Sequence, residues 1–362
     1  WRAVHEEVVQ MDALMDAAVM HGPGDVRFER VPIPTCPEGG FVLKVEAVGL
    51  CGSDIRNLST DSRKGDYPFI YGHEVVGCVH EVAPGVDGVA MGERLYIYPE
   101  AHCLRCENCR SGRSNQCTDV DSYVKRPGGF AEYISYTATR LERGAMYHVP
   151  ESVDPVRASL AEPLSSTYAC VENIDVCLGD TVAILGAGPI GVNLAILSKM
   201  RGASKVIVAD VNGDRLDRLG PFGVDEVVDG SMCDVVDTIL LLTHSRGVDK
   251  AISANPSTTS QQQILEITRA GGTAVFFGGV PRGSTAELDT NLIHYKSLWV
   301  YGHYGATSIQ VQRAFELALD PKYPAESIVS HVLPLARINE AIELTRSGEA
   351  LKVVLKPTLK EG

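Results

Sequence analysis

From about residue 15 to 160 the chain runs in short apolar stretches broken by glycine and proline: "DAAVMHGPGDVRFERVPIP", "FVLKVEAVGLCG", "VVGCVHEVAPGV", "GERLYIYPE" and "GFAEYISY". Alternating strands with this density of Gly/Pro punctuation predict an irregular, mostly β unit. From about residue 180 the rhythm changes. "TVAILGAG" has the continuous apolar character of a buried strand, and a helical stretch follows from Pro189. "KVIVAD", "VDKAISA" and "GTAVFFGGV" are further strands with helical segments between them. Strands alternating with helices predict a parallel, doubly wound sheet. After "SLWVYGHYG" come helices near 307–319 and 337–347 and a last strand, "LKVVLKP". There is no internal repeat and no low-complexity segment.

The longest uncharged run, "TVAILGAGPIGVNLAILS" at 181–198, has the length of a membrane span. Pro189, Asn193 and three glycines at fixed offsets instead predict a buried strand, a turn and a helix. No membrane association is expected. At 362 residues the chain exceeds the usual size of one core, so two domains are expected. A hydrophobic content of 44% with 22% charged residues is that of an ordinary globular protein. The formal charge of −13 disfavours a nucleic-acid groove or an anionic membrane surface as partner. The opening "WRAVHEEVVQMDALMD" is charged and mixed rather than basic and then apolar, so it does not read as a secretory signal. Residues 1–14 read as an extension ahead of the first strand pattern.

Ten cysteines could signal disulfides, but four are crowded into 103–117. That crowding favours metal ligation in a reducing compartment, with the cytoplasm as the expected location. "CLRCENCRSGRSNQC" spaces Cys103, Cys106, Cys109 and Cys117 so that short loops bring four thiolates to one point. Four thiolates suit tetrahedral zinc and leave no open position, so this site is expected to be structural. An iron–sulfur cluster and a zinc-ribbon nucleic-acid module are the competing readings, and the acidic charge disfavours the second.

"GAGPIG" has the form G-x-G-x-x-G, a weak signal alone but strong between a strand and a helix. Gly186 permits the turn, Gly188 lets backbone approach a pyrophosphate, and Gly191 lets helix and strand pack closely. With Pro189 and Ile190 they open a helix whose N-terminus faces the phosphates. Asp210 ends the next strand, 19 residues after Gly191. A carboxylate there accepts from both ribose hydroxyls of NAD and repels a 2′-phosphate, although it could also only cap the next turn. Arg215, close by, could soften the exclusion of NADP.

"GHEVVG" sets His73 and Glu74 inside an apolar stretch, a costly placement unless something pairs with them. Read with Cys51 of "GLCGSDIRNL", which has Ser53 two residues on, and with Glu162 of "SLAEPLSS", His73 and Glu74 make, with that cysteine and carboxylate, a credible catalytic zinc shell with a position left for a substrate oxygen. The other cysteines, Cys36, Cys78, Cys170, Cys177 and Cys233, read singly as small core residues.

"GLCGSD", "GHEVVG", the four-cysteine lobe, "AEPL" and "GAGPIG" resemble, in order and spacing, the zinc-dependent medium-chain dehydrogenase/reductases over about residues 15–360. Glu162 followed by Pro-Leu resembles the sorbitol (polyol) dehydrogenase branch, with threonine dehydrogenases and sugar-phosphate polyol dehydrogenases as near relatives. The resemblance implies an α/β chain: a GroES-like mostly-β catalytic domain at 15–162, completed by 304–362, and a Rossmann domain at 163–303. It implies Cys51 and His73 as zinc ligands and Ser53 as a proton carrier. Glu74 and Glu162 are then a third ligand and a neighbour that exchanges with it or with water. It further implies a homotetramer or homodimer, a small alcohol or polyol as substrate, and NAD as hydride acceptor. The rivals are a zinc-free enone or quinone reductase, which would lack Cys51 and His73, and a noncatalytic NAD-binding protein on the same fold. One position departs from the pattern. The histidine that ends the proton relay of simple alcohol dehydrogenases, five residues past the ligand cysteine, is here Arg56, which cannot accept a proton. Arg56 is free to pair with a cofactor phosphate or an anionic substrate group, or has no role.

Overall fold

The expected hairpin at the start of the chain is present in a computed structural model that describes residues 13–58, 60, 65–122 and 128–359. β1 (Leu14–Gly22) pairs antiparallel with β2 (Asp25–Pro32). Leu14 thus belongs to the first strand rather than to an extension, and residues 1–12 lie outside the described residues. β3 (Phe41–Gly49), α1 (Gly52–Leu58), β4 (Phe69–Ile70), β5 (Glu74–Val82) and β6 (Arg94–Ile97) follow. β7 (Glu100–Ala101), α2 (Glu107–Arg110) and β8 (Asp121–Ser122) frame the four-cysteine lobe. β9 (Tyr133–Tyr136), α3 (Ala138–Arg143) and β10 (Met146–His148) return the chain to the sheet, and α4 (Pro155–Ser159) leads to α5 (Ala161–Asn173).

The second half alternates strand and helix as its pattern predicts: β11 (Thr181–Leu185), α6 (Pro189–Met200), β12 (Lys205–Asp210), α7 (Gly213–Leu216), β13 (Glu226–Asp229), α8 (Val235–Leu242), β14 (Val248–Ser253), α9 (Thr258–Ile267), β15 (Thr268–Phe276), α10 (Thr290–Tyr295) and β16 (Trp299–Gly302). These strands form one parallel sheet in the order β13-β12-β11-β14-β15-β16. This is the doubly wound order, reversing direction between β11 and β14, where a crevice opens at the carboxyl ends. β11 shows why its run is apolar throughout. Val182 and Ile184 face one core and Ala183 and Leu185 the other, as a strand covered on both sides requires. α6 is buried along Val192–Leu197, which accounts for the membrane-like length of the uncharged run. Among the described residues no helix is long and apolar enough to cross a membrane.

The chain then returns through α11 (Ser308–Leu319), α12 (Ala325–Ile328), β17 (His331–Pro334), α13 (Ile338–Ser347) and β18 (Val353–Lys356). β18 pairs with β3 and so closes the first sheet, ordered β10-β6-β5-β3-β18-β17 with β9 also on β3. A division of the chain between 162 and 163 falls inside α5, a continuous helix shared by both parts. The largest core cluster also crosses it. Val76 and Tyr96 of the first sheet, Leu164 of α5, Val182 and Ile184 of β11, Val192 of α6 and Phe315 of α11 are buried in one apolar mass.

Candidate active site and metal centres

Register in the first sheet assembles the first cluster. β3 and β5 pair so that Gly49 lies opposite Glu74. The chain leaves β3 toward Cys51 just where His73 enters β5, and donor atoms of Cys51, His73 and Glu74 lie within 4.8 Å of one another. Asp54 in the first turn of α1, 0% exposed, braces both ligand candidates. One of its carboxylate oxygens accepts the Cys51 N–H at 3.1 Å and the other lies 3.1 Å from His73 Nδ1. A partner on Nδ1 fixes the ring and leaves Nε2 for a metal, the usual support of a metal-bound histidine. Glu162, in the first turn of α5, brings Oε1 to 3.8 Å from that Nε2. Ser53 is half-buried in α1, and Arg56 is exposed in its last turn.

Glu74 is 0% exposed and faces Lys352, itself 4% exposed, whose ammonium lies 2.5 Å from each carboxylate oxygen and also donates to the Leu50 carbonyl. A side chain at position 49 would abolish this arrangement: a Cβ there would stand 1.8 Å from Glu74 Oε2. The cluster is acid-rich, with Asp54, Glu74 and Glu162 set around one lysine and one histidine. Burial raises the Glu162 carboxyl to about 7, with Glu74 and Asp54 adding to the push and His73 and Lys352 opposing it. Burial alone would hold the His73 imidazole low. The charge and hydrogen bond of Asp54, with Cys51 and Glu162, reverse this and push it well above its ordinary value. A buried site with surplus negative charge, one soft sulfur, one imidazole and carboxylates fits a divalent zinc ion.

The second cluster is closed. The sulfurs of Cys103, Cys106, Cys109 and Cys117 lie within 4.8 Å of one another, with Cys103 and Cys109 at 3.9 Å. Tetrahedral zinc with bonds of about 2.3 Å sets sulfurs roughly 3.8 Å apart. Backbone N–H groups of Cys106 and Cys103 each donate to a sulfur at 3.3 Å, as thiolates need. N–H groups of Cys109 and Thr118 draw the Cys106 thiol down to about 5, whereas burial pushes Cys109 up to about 12. The full set of thiolates therefore calls for a metal to displace the last protons.

At the crevice of the parallel sheet, the glycine-rich turn carries the β11 strand into α6. A Cβ on Gly191 would fall 1.8 Å from the Gly186 carbonyl, which explains its lack of a side chain. Nothing lies within 4 Å of where Gly188 would carry one, and Gly188 caps the helix that Pro189 and Ile190 begin. That open cradle of N–H groups fits a pyrophosphate. Asp210 ends β12 with both oxygens engaged: one accepts Ala187 N–H at 2.7 Å and the other Asn212 N–H at 3.0 Å. Arg215 stands 3.9 Å from it, with its guanidinium against Gly348.

Residues 37–144 match the alcohol dehydrogenase GroES-like domain and residues 189–320 the zinc-binding dehydrogenase model. A sorbitol dehydrogenase from Bombyx mori is 30% identical over 348 residues, covering 94% of this chain and 97% of its own. The chain belongs to the zinc-dependent medium-chain dehydrogenase family. Within it, the likeness places the chain on the sorbitol dehydrogenase-like branch. An L-threonine 3-dehydrogenase from Xanthomonas euvesicatoria is similar at 31% over 331 residues, 90% of this chain and 95% of its own. Among solved structures, a Sinorhizobium meliloti protein described as a zinc-binding dehydrogenase and bound to NADP superposes with a TM-score of 0.85 at 29% identity, covering 96% of this chain and 100% of that one. The zinc dehydrogenase fold thus brings together Cys51, His73, Glu74 and Glu162, and separately the four lobe cysteines. Sequence reading missed Asp54 and Lys352. Asp54 was signalled only by its place three residues past Cys51, while Lys352 looks like an ordinary outward lysine in "LKVVLKP".

Proposed function

We propose that this dehydrogenase oxidises a secondary alcohol group of a polyol, sugar alcohol or sugar-alcohol phosphate with NAD as hydride acceptor. The observation that carries this reading is the convergence of Cys51, His73 and Glu74 beside Glu162 in one buried, acid-rich cluster. When bound, zinc supplies Lewis-acid polarisation of the alcohol oxygen and NAD supplies the hydride acceptor. Cys51 and His73 hold the metal, Asp54 keeps His73 in the ligating tautomer, and Glu74 and Glu162 complete the shell in exchange with each other. Ser53 passes the hydroxyl proton outward. The Gly186–Gly191 turn seats the pyrophosphate and Asp210 the adenosine ribose. The four lobe cysteines hold a second, structural zinc. Residues 15–162 with 304–362 form the catalytic part, and 163–303 the nucleotide part.

A threonine dehydrogenase activity is the second reading, supported by relatives as similar as the sorbitol dehydrogenases. The test is metal analysis combined with a panel of polyols, polyol phosphates, simple secondary alcohols and L-threonine, each with NAD and with NADP, followed by the absorbance of the reduced cofactor. Two zinc ions per chain and turnover of a polyol with NAD are expected. One metal per chain, or turnover of L-threonine alone, would overturn the assignment.

A further inference from the structure

The spacer between Cys109 and Cys117 does more than close a ring of ligands. It contains the single turn Ser114–Gln116, and two of its side chains leave the lobe. Ser114, buried, accepts the Ser308 N–H on Oγ at 2.9 Å. Asn115 donates from Nδ2 to the Tyr304 carbonyl at 2.8 Å. From the foot of the lobe, buried His102 sets Nδ1 2.9 Å from Ser308 Oγ. All three contacts land on residues 304–308, between the end of β16 and the first residue of α11. Ser308 N–H is one of the donors a helix cannot satisfy from within. Thr307 serves the donor at Gln310, and the lobe serves this one.

The other side of the same stretch packs on α5 and on the end of β15. His303 brings Nε2 to 3.2 Å from Ser166 Oγ, one turn along α5 from Glu162. Its ring stacks on Phe277 at 4.8 Å, just past the end of β15. Residues 303–308 are therefore held between the lobe and the helix carrying Glu162, at the carboxyl end of β16 and on the same edge of the sheet as the β11–β14 crevice where nucleotides bind in doubly wound sheets. The lobe has little apolar mass of its own, and none of the residues of α2 is buried, so its metal must supply its order.

We propose that the four-cysteine lobe is a positioning element for the cofactor cleft: Ser114, Asn115 and His102 hold residues 303–308 against α5, so that order in the lobe is felt as nucleotide affinity. This rests on the reading of the crevice as a nucleotide site. The test uses the zinc-loaded protein with Ser114→Ala and Asn115→Ala, and Ser114→Thr as the variant that keeps the hydroxyl. Metal content, NADH affinity by fluorescence, steady-state kinetics and hydrogen exchange at Ser308 are measured together. Both alanine variants should retain two zinc ions and exchange Ser308 faster. Their NADH dissociation constant and KM should rise about three- to tenfold, with kcat changed by less than about twofold, and Ser114→Thr should restore affinity. Unchanged NADH affinity at full metal content would overturn the proposal, as would a loss that merely tracks lost zinc. A parent protein that binds no NADH would refute the nucleotide reading instead, and exchange at Ser308 would still decide whether the lobe holds this stretch.

Discussion

Lys352 and Glu74 lie 278 residues apart and bury opposite charges in contact. Removing one partner of such a pair strands the other without water, at a cost of about 3–5 kcal/mol. Lys352→Met should lose that much stability in urea unfolding of the metal-free protein, where no ion can neutralise Glu74, and adding Glu74→Gln should recover most of it. A loss below about 1 kcal/mol would mean that the pair is hydrated rather than buried, whereas a smaller loss in the zinc-loaded protein is expected if Glu74 also meets the metal. Asp210 gives a second prediction. Because it accepts the Ala187 N–H and is proposed to seat the adenosine ribose, Asp210→Ala should weaken NADH binding by about 1.5–3 kcal/mol. NADPH binding should fall less, because the change also removes a charge that repels the 2′-phosphate. Fluorescence titration with both cofactors checks this, and equal losses would reduce Asp210 to a turn residue. At this scale the ligand candidates were legible in the sequence because short spacing marks them: three cysteines at intervals of three, and His73 beside Glu74. Asp54 and Lys352 were not. Their meaning depends on burial and on a sheet register that pairs the two ends of the chain.

His303, just past the end of β16, makes a pH-dependent contribution that can be measured. Burial draws the His303 imidazole from its ordinary 6.5 down to about 4. The unfolded chain therefore takes up a proton that the native chain refuses between those values. This contribution is complete above about pH 6.5 and is lost progressively as pH falls toward 4, by on the order of 3 kcal/mol. His303→Gln should flatten the stability profile across that window, as followed by urea midpoints at successive pH values. Parent and variant profiles of equal slope across that window would contradict it; Glu162, raised to about 7, adds an opposing slope common to both. Elements were legible where periodicity was strong, as in β11, β12 and α6, and less so at β15. The pattern "GTAVFFGGV" predicts a strand from about Gly272, but β15 begins at Thr268. Between Val248–Thr268 and Lys250–Thr273 its pairing with β14 is irregular, so the strand continues through a glycine pair that reads as a break.

At the scale of the molecule, β16 is the outer strand of the parallel sheet, and Trp299, 75% exposed, Val300 and Tyr295 stand uncovered beside it. An open apolar edge is a template for pairing with another copy. The chain is expected to form a dimer or tetramer, and Trp299→Glu to shift it toward monomer in light scattering. A parent monomer at all concentrations would refute this. The apolar mass that runs from Tyr96 through α5 to Ile184 and Phe315 has a mechanical meaning of its own. Two lobes joined by a thin strap can swing together over a ligand, but a close-packed solid has no plane along which to shear. Nucleotide must then reach its crevice by small loops stepping aside rather than by the halves parting. X-ray scattering profiles with and without NADH should superimpose, and a contraction on binding would mean that this shared core yields.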